Sequence, residues 1–219
     1  RRLSGVPLSY LTHLKEFWSI PFEIHPGVLI PRPESELIVE KVLDLTDKRE
    51  AVIVDIGTGC GNLAVSLARV LPEARVVATD ISQKALEIAG RNAAQQGVAG
   101  ITFVRGSKFS PLKRLGLEEK CDFIVSNPPY VSEEDWKSLP PEIRDHEPKK
   151  ALLAGKTGLE FIEDLVRDAP KYLKPGGRLV LEIGWGQKGR VLSMFGREWT
   201  RVRSCKDLNG IPRVVTARK

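Results

Sequence analysis

The sequence predicts an α/β fold on a mostly parallel sheet, and three observations carry that prediction. Short β-branched runs alternate with longer helical patterns through most of the chain, an order that covers both faces of a parallel sheet with helices. A glycine-rich turn follows one such run in "AVIVDIGTGCG", residues 51–61. The closing stretch "WTRVRSCKDLNGIPRVVTARK" breaks the alternation and reads as a hairpin turning at Asn209-Gly210, which places one antiparallel strand at the sheet edge.

Taken in order, residues 1–33 are irregular and rich in aromatics and prolines, a linker or hairpin segment ahead of the main domain at 34–219. In "LIPRPESELIVEKVLDL" the prolines hold the backbone extended until a helix starts after Pro33. Ala51 to Ile56 read as a buried strand, and "NLAVSLARVL" as the helix that leaves the glycine turn. Strand "RVVATD" ends at Asp80, and Ser82 caps the helix "QKALEIAGRNAAQQ", which Gly97 closes. Strand "ITFV", a loop around Phe109 to Pro111, strand "DFIVSN", a helical stretch near Gly158 to Leu173 and strand "RLVLEI" complete the alternation.

With 219 residues, 42% hydrophobic and 28% charged, the chain fits a single globular domain. The net charge of +6 comes from 34 basic and 28 acidic residues mixed along the sequence, a weak sign of an anionic partner. The pairs Lys113-Arg114 and Lys149-Lys150 fit either phosphate contacts or solvated surface, the commoner fate of short basic pairs. Cys60, Cys121 and Cys205 lack the spacing of a zinc or disulfide framework, so no metal site is expected and a reducing compartment is. No apolar run reaches the roughly 20 residues of a membrane span. No leader pattern precedes the first motif, and the expected setting is the cytoplasm. The chain opens at Arg1 without methionine and reads as a fragment of a longer protein.

In "DIGTGCG" the glycines at 57, 59 and 61 follow a strand and open a helix, where such a loop lets backbone approach a ligand closely. A dinucleotide fingerprint needs its third glycine at position 62, where this chain has Asn62. Asp55 stands ahead of the loop, and Asp80 closes the next strand, where a carboxylate can accept both hydroxyls of a ribose. The alternative reading makes Asp55 a turn cap and Asp80 a helix start. The combined order resembles the nucleoside-binding half of S-adenosylmethionine-dependent methyltransferases. That resemblance implies a Rossmann-like class I fold whose seven-stranded sheet ends in an antiparallel hairpin.

Ligands of such a sheet bind beyond the carboxyl ends of its strands, and "SNPPYV" begins at one of those ends. A carboxamide or an adenine amine has a delocalised lone pair and is a poor nucleophile. The Asn127 side-chain oxygen and the Pro128 carbonyl can each accept one of its hydrogens and so aim the lone pair at a methyl group. Pro128 and Pro129 stiffen the acceptors and add no competing N–H, while Tyr130 offers a flat face for stacking. No strong base is required, and none is evident among His13, His25 and His146. On its own, "NPPY" also reads as a strand terminator.

Together, "RPESE", "DIGTGCG", "SNPPYV" and "EPKKALLAGKTGLEF" resemble the HemK/PrmC family of protein-(glutamine-N5) methyltransferases, over nearly the whole chain. The resemblance implies methylation of the glutamine in the Gly-Gly-Gln loop of peptide-chain release factors, with S-adenosyl-L-methionine as cofactor. It implies that Asn127, Pro128, Pro129, Tyr130 and Arg32 meet the substrate. Asp55, Gly57, Thr58, Gly59, Gly61 and Asp80 would form the cofactor site, with Ile81, Ser107, Lys108, Phe109 and Asn127 beside them. Two departures stand out. Ser107 occupies the place where the family usually has an acidic residue for the adenine amine, and a hydroxyl accepts that bond more weakly. The resemblance also implies an amino-terminal helical domain that is not among these residues, and residues 1–33 read as its remnant.

Arg32 and Glu34 fit either a closing loop or ordinary charges at a helix start. Phe17, Trp18 and Phe22 fit either a substrate channel or burial against the sheet, the commoner fate of such aromatics. Cys60 reads as packing. An adenine-N6 methyltransferase on DNA or RNA is the nearest rival, since the same acceptors suit that nitrogen. It would normally bring a recognition domain or a dense basic groove, so no stable nucleic-acid binding and no membrane partner are expected. A non-catalytic nucleotide-binding module is the rival from another class. The expected oligomeric state is a monomer.

Overall fold

A computed structural model describes residues 2–46, 48 and 50–219. Arg1, on which the reading of a fragment rests, lies outside them. The chain opens with a short helix, α1 (Leu8–Thr12), and a hairpin of β1 (Leu14–Phe17) and β2 (Ile20–Glu23). Pro33–Ser35 form a 3-10 turn that runs into α2 (Glu36–Leu45), with the proline at the first turn, where its missing N–H costs nothing. Next come β3 (Val52–Ile56), α3 (Asn62–Val70), β4 (Arg75–Asp80), α4 (Gln83–Gln95) and β5 (Ile101–Arg105). The stretch expected as a loop after β5 winds instead into α5 (Ser110–Arg114), started by Pro111, and leads to β6 (Cys121–Ser126).

Between β6 and the next long strand the chain makes β7 (Val131–Ser132), α6 (Glu133–Ser138), α7 (Pro141–Arg144), α8 (Lys149–Leu152), β8 (Leu153–Gly155) and α9 (Glu160–Asp168). It ends with β9 (Leu173–Glu182), α10 (Lys188–Leu192), β10 (Thr200–Lys206) and β11 (Pro212–Arg218). β9 starts earlier than its apolar pattern suggests, because a register shift against β6 absorbs Pro175, Gly176 and Gly177.

Seven strands form one sheet in the order β10-β11-β9-β6-β3-β4-β5. β3, β4, β5, β6 and β9 run parallel, while β11 is antiparallel to both β9 and β10. The antiparallel strand is thus second from the edge rather than at it. The cause lies in composition: β11 buries Val214, Val215 and Ala217 and needs neighbours on both sides, whereas β10 exposes Arg201, Arg203 and Lys206 and tolerates an open edge.

One face of the sheet is covered by α2, α3 and α4 with the opening hairpin, where Phe17, Phe22, Ile38 and Ile88 share a core with Ile53 and Val76. Phe17 and Phe22 therefore belong to the core rather than to a channel, and Trp18 packs partly buried against them. On the other face Leu112, Ile162 and Leu165 pack over Val54, Ile124 and Leu179. The carboxyl ends of β3, β4, β6 and β9 are left facing one side of the molecule, and the site forms there.

Candidate active site

The turn after β3 is held by backbone and carboxylate together. The N–H groups of Gly57 and Thr58 both donate to the Thr79 carbonyl at 2.9 Å. Gly59 N–H donates to Asp80 Oδ2 at 3.0 Å, and Ser82 N–H to Asp80 Oδ1 at 2.8 Å. Each Asp80 oxygen keeps a second lone pair, so the carboxylate can serve the loop and still accept hydroxyls. Behind the loop, Thr58 Oγ1 donates to the buried Asp55 Oδ2 at 2.6 Å. Burial pushes the Asp55 carboxyl up to about 7 and moves Asp80 upward as well. Asn92 on α4 donates to the Cys60 carbonyl at 2.9 Å and accepts from Glu23 N–H at 2.7 Å, tying the loop to the opening hairpin.

A cavity of about 500 Å³ lies in front of this turn, within the range of small-molecule sites. Of the residues expected to hold a cofactor, Gly57, Gly59, Asp80, Ile81, Ser107, Lys108 and Asn127 line it, together with Pro129. Asp55, Thr58, Gly61 and Phe109 do not. Asp55 and Thr58 bond to each other behind the loop, Gly61 turns toward Ala89, and Phe109 stacks on Tyr172 at 5.1 Å. Lys108 is drawn to Asp164 and lies 5.0 Å from the centre of the Phe161 ring. Cys60 is fully buried and its thiol is pushed up to about 12 by that burial, consistent with packing.

The lining suits a nucleoside. A methyl group built on Gly59 meets nothing within 4 Å, so the loop backbone itself faces the space. Asp80 stands at a strand end with acceptor capacity to spare, and Ile81 and Phe161 offer apolar surface for a flat base.

A smaller recess of about 20 Å³ adjoins the cavity, lined by Leu29, Arg32, Asn127, Pro128, Tyr130, Ala151 and Leu152. That space admits only one or two water-sized groups. Asn127 lines both spaces and stands where they meet. Its Nδ2 donates to Ser35 Oγ at 2.9 Å, Ser35 donates to Glu182 Oε2 at 2.5 Å, and the Tyr130 hydroxyl donates to Glu182 Oε1 at 3.2 Å. Burial, then the neighbouring Glu182, holds the Tyr130 phenol above its ordinary value. Gln187 Nε2 holds the Tyr130 carbonyl at 2.9 Å.

Arg32 reaches the recess because the buried Glu147 binds it, and the same carboxylate accepts Ile30 N–H at 3.1 Å. Sequence reasoning assigned no role to Ser35, Glu147, Glu182 or Gln187. For Glu182 a signal was present: like Asp80, it is an acid at the carboxyl end of an apolar strand.

Comparison with known proteins gives a consistent picture. Residues 33–139 match the family "Methyltransferase small domain". The whole chain is 44% identical to the release factor glutamine methyltransferase of Geobacter sulfurreducens and covers 75% of that protein. It is 37% identical over its full length to the protein of the same name from Salmonella typhimurium, covering 77% of it. Among solved structures, a methyltransferase from Pyrococcus furiosus aligns over 100% of this chain and 98% of its own, with a TM-score of 0.66 at 22% identity.

Proposed function

The chain belongs to the release factor glutamine methyltransferases, and from that premise we infer that it methylates the glutamine side-chain nitrogen of a release factor, using S-adenosylmethionine. When bound, the cofactor supplies an electrophilic methyl group on a positively charged sulfur. Asp80 would accept the ribose hydroxyls, the turn at Gly57 and Gly59 would let the backbone approach, and Ile81 and Ser107 would flank the base. Asn127, the residue shared by both spaces, would then stand at the methyl end.

The observation that carries this reading is the hydrogen bond from Asn127 Nδ2 to Ser35. With the nitrogen committed, Oδ1 is left as an acceptor, and the Pro128 carbonyl offers a second on a stiff backbone. Two fixed acceptors hold the glutamine NH₂ and favour the geometry in which its lone pair meets the methyl. The Tyr130 ring, anchored through Glu182 and Gln187, gives the amide a plane to rest on. Positive charge that develops on nitrogen is stabilised by these oxygens. The N-methylated cation is acidic enough to lose its proton to water, and among the described residues no histidine lines either space.

The test uses labelled S-adenosylmethionine with a release factor, with its Gln-to-Glu variant in the Gly-Gly-Gln segment, or with DNA. Label is expected in the unmodified factor alone. Label in DNA, or equal label in the Glu variant, would reject the substrate. Asn127→Ala is expected to lose about 100-fold in turnover while still binding cofactor in a calorimeter; a variant of undiminished rate removes the role given to Asn127.

A further inference from the structure

We propose that Ser35 and Glu182 are positioning residues that set which end of the Asn127 amide faces the substrate. The proposal rests on the reading of Asn127 Oδ1 as the acceptor of the glutamine NH₂. An amide is nearly symmetric in shape, and its two ends are opposite in hydrogen-bonding sense. Presented the wrong way round, Asn127 would offer NH₂ to NH₂ and hold nothing.

The geometry resolves the choice step by step. Glu182 is buried, and when ionised it can only accept. Both of its neighbours must therefore donate: the Tyr130 hydroxyl to Oε1 at 3.2 Å and the Ser35 hydroxyl to Oε2 at 2.5 Å. Ser35 has a single proton, and that donation uses it. Its remaining lone pairs face Asn127 at 2.9 Å, and only the NH₂ end can satisfy them. The carboxylate thus imposes its sense on Asn127 through one hydroxyl. β6 and β9 are adjacent in register, Ser126 opposite Leu181, so Asn127, just past the end of β6, stands beside Glu182, the last residue of β9. The turn ahead of α2, in which Ser35 is buried, brings that serine between them.

Protonation of Glu182 would undo this. A carboxylic acid can donate to Ser35 Oγ, freeing the serine proton to point at Asn127 and allowing the amide to turn over. Burial lifts Glu182 to about 7, Glu34 on the same turn as Ser35 pushes the same way, and Arg213 on β11 with the bonds from Ser35 and Tyr130 opposes them. The Asn127 grip is therefore present above about pH 7 and lost as pH falls through that value.

Turnover of a release factor and cofactor affinity are measured from about pH 5.5 to 9 for the unmodified enzyme, Ser35→Ala, Ser35→Thr and Glu182→Gln. Ser35→Ala is expected to lose about 10- to 100-fold in kcat with unchanged cofactor affinity, the cost of a misaligned reacting group. Ser35→Thr, which keeps the hydroxyl, is expected to return to within a few-fold of the unmodified rate. The unmodified kcat should fall below about pH 7, and Glu182→Gln should be slow at every pH without that break. Ser35→Ala at full rate, Ser35→Thr as slow as Ser35→Ala despite equal cofactor binding, or an unchanged pH break in Glu182→Gln each overturn the proposal. An unmodified enzyme that leaves the release factor unlabelled overturns the functional reading beneath it instead.

Discussion

Gly59 and Gly61 sit in one turn but answer to different neighbours. Both have positive φ, +56° and +86°. A methyl group on Gly59 meets nothing within 4 Å and would project toward the cavity, whereas one on Gly61 comes within 2.9 Å of the Ala89 side chain and 3.2 Å of its backbone. Gly61 is thus where α3 touches α4. Gly61→Ala is expected to cost about 3 kcal/mol of stability from strain and overpacking, and Gly59→Ala about 1–2 kcal/mol from strain alone. Cofactor affinity should reverse that order, Gly59→Ala losing the more. Denaturant titration and calorimetry on both variants check this, and parallel losses would refute the division. The same two residues show what was legible in the sequence at this scale. Their strand-turn-helix setting pointed to a ligand loop, and residue type with strand-end position pointed to Asp80 and Asn127. Which glycine faces ligand and which faces a helix depends on α4, which comes later in the chain. Ser35 was hidden for the same reason: its role exists only once the turn before α2 meets the ends of β6 and β9.

Strands and helices were readable wherever an apolar period ran long, and least readable where pairing partners decide the outcome. β4 and the Ser82 cap of α4 appear as their residues suggest, the Ser82 hydroxyl accepting Ala85 N–H at 3.2 Å. The carboxy-terminal hairpin was visible from Asn209-Gly210, but its insertion with β11 inward follows from the sheet needing an apolar neighbour for β9. A polar residue also registers the strands at their opposite ends. Asp122 at the start of β6 accepts Val52 N–H of β3 at 2.9 Å, Lys174 Nζ of β9 at 2.6 Å and Lys48 Nζ at 2.9 Å. Burial alone would raise its carboxyl, but the bonds from Lys174, Val52 and Lys48 hold it below the usual value. This stabilisation is therefore present above the ordinary aspartate range and lost as pH falls through the depressed value. Asp122→Ala is expected to cost about 1–3 kcal/mol and Asp122→Asn less, with the release-factor KM unchanged, since the strand starts lie far from the site. Chemical denaturation beside steady-state kinetics checks it; a changed KM at unchanged stability would show that Asp122 acts on the site instead.

At the scale of the whole molecule, the carboxylates that serve the site work against the fold. Asp55 and Glu182 are buried and pushed up to about 7 by that burial, and Asp80 is shifted the same way. Between the ordinary carboxylate range and those raised values, the folded chain holds more protons than the unfolded one. Stability contributed by Asp55 and Glu182 is thus fully present at low pH and lost as pH rises through about 7, and Asp80 acts in the same sense. Surface carboxylates act in the opposite sense. Glu23, bonded to Arg91, and Asp168, bonded to Arg167, are held low, and their contribution disappears in acid. The two trends meet in the ordinary carboxylate range, where the thermal midpoint should be highest, at about pH 4. Turnover should instead rise through about pH 7, because an ionised Glu182 orders the Asn127 grip. The enzyme is then most stable where it is slow, as expected when charge is kept in a buried site for chemistry. Scanning calorimetry across pH, in about 0.15 M salt to screen surface charge, should show the midpoint falling from about pH 4 to about pH 7 and levelling above it. Glu182→Gln should shrink that fall by removing one of the buried titrations. A midpoint that climbs steadily from about pH 5 to 8, or a Glu182→Gln curve parallel to that of the unmodified protein, would mean that these carboxylates are ionised in the fold at no cost.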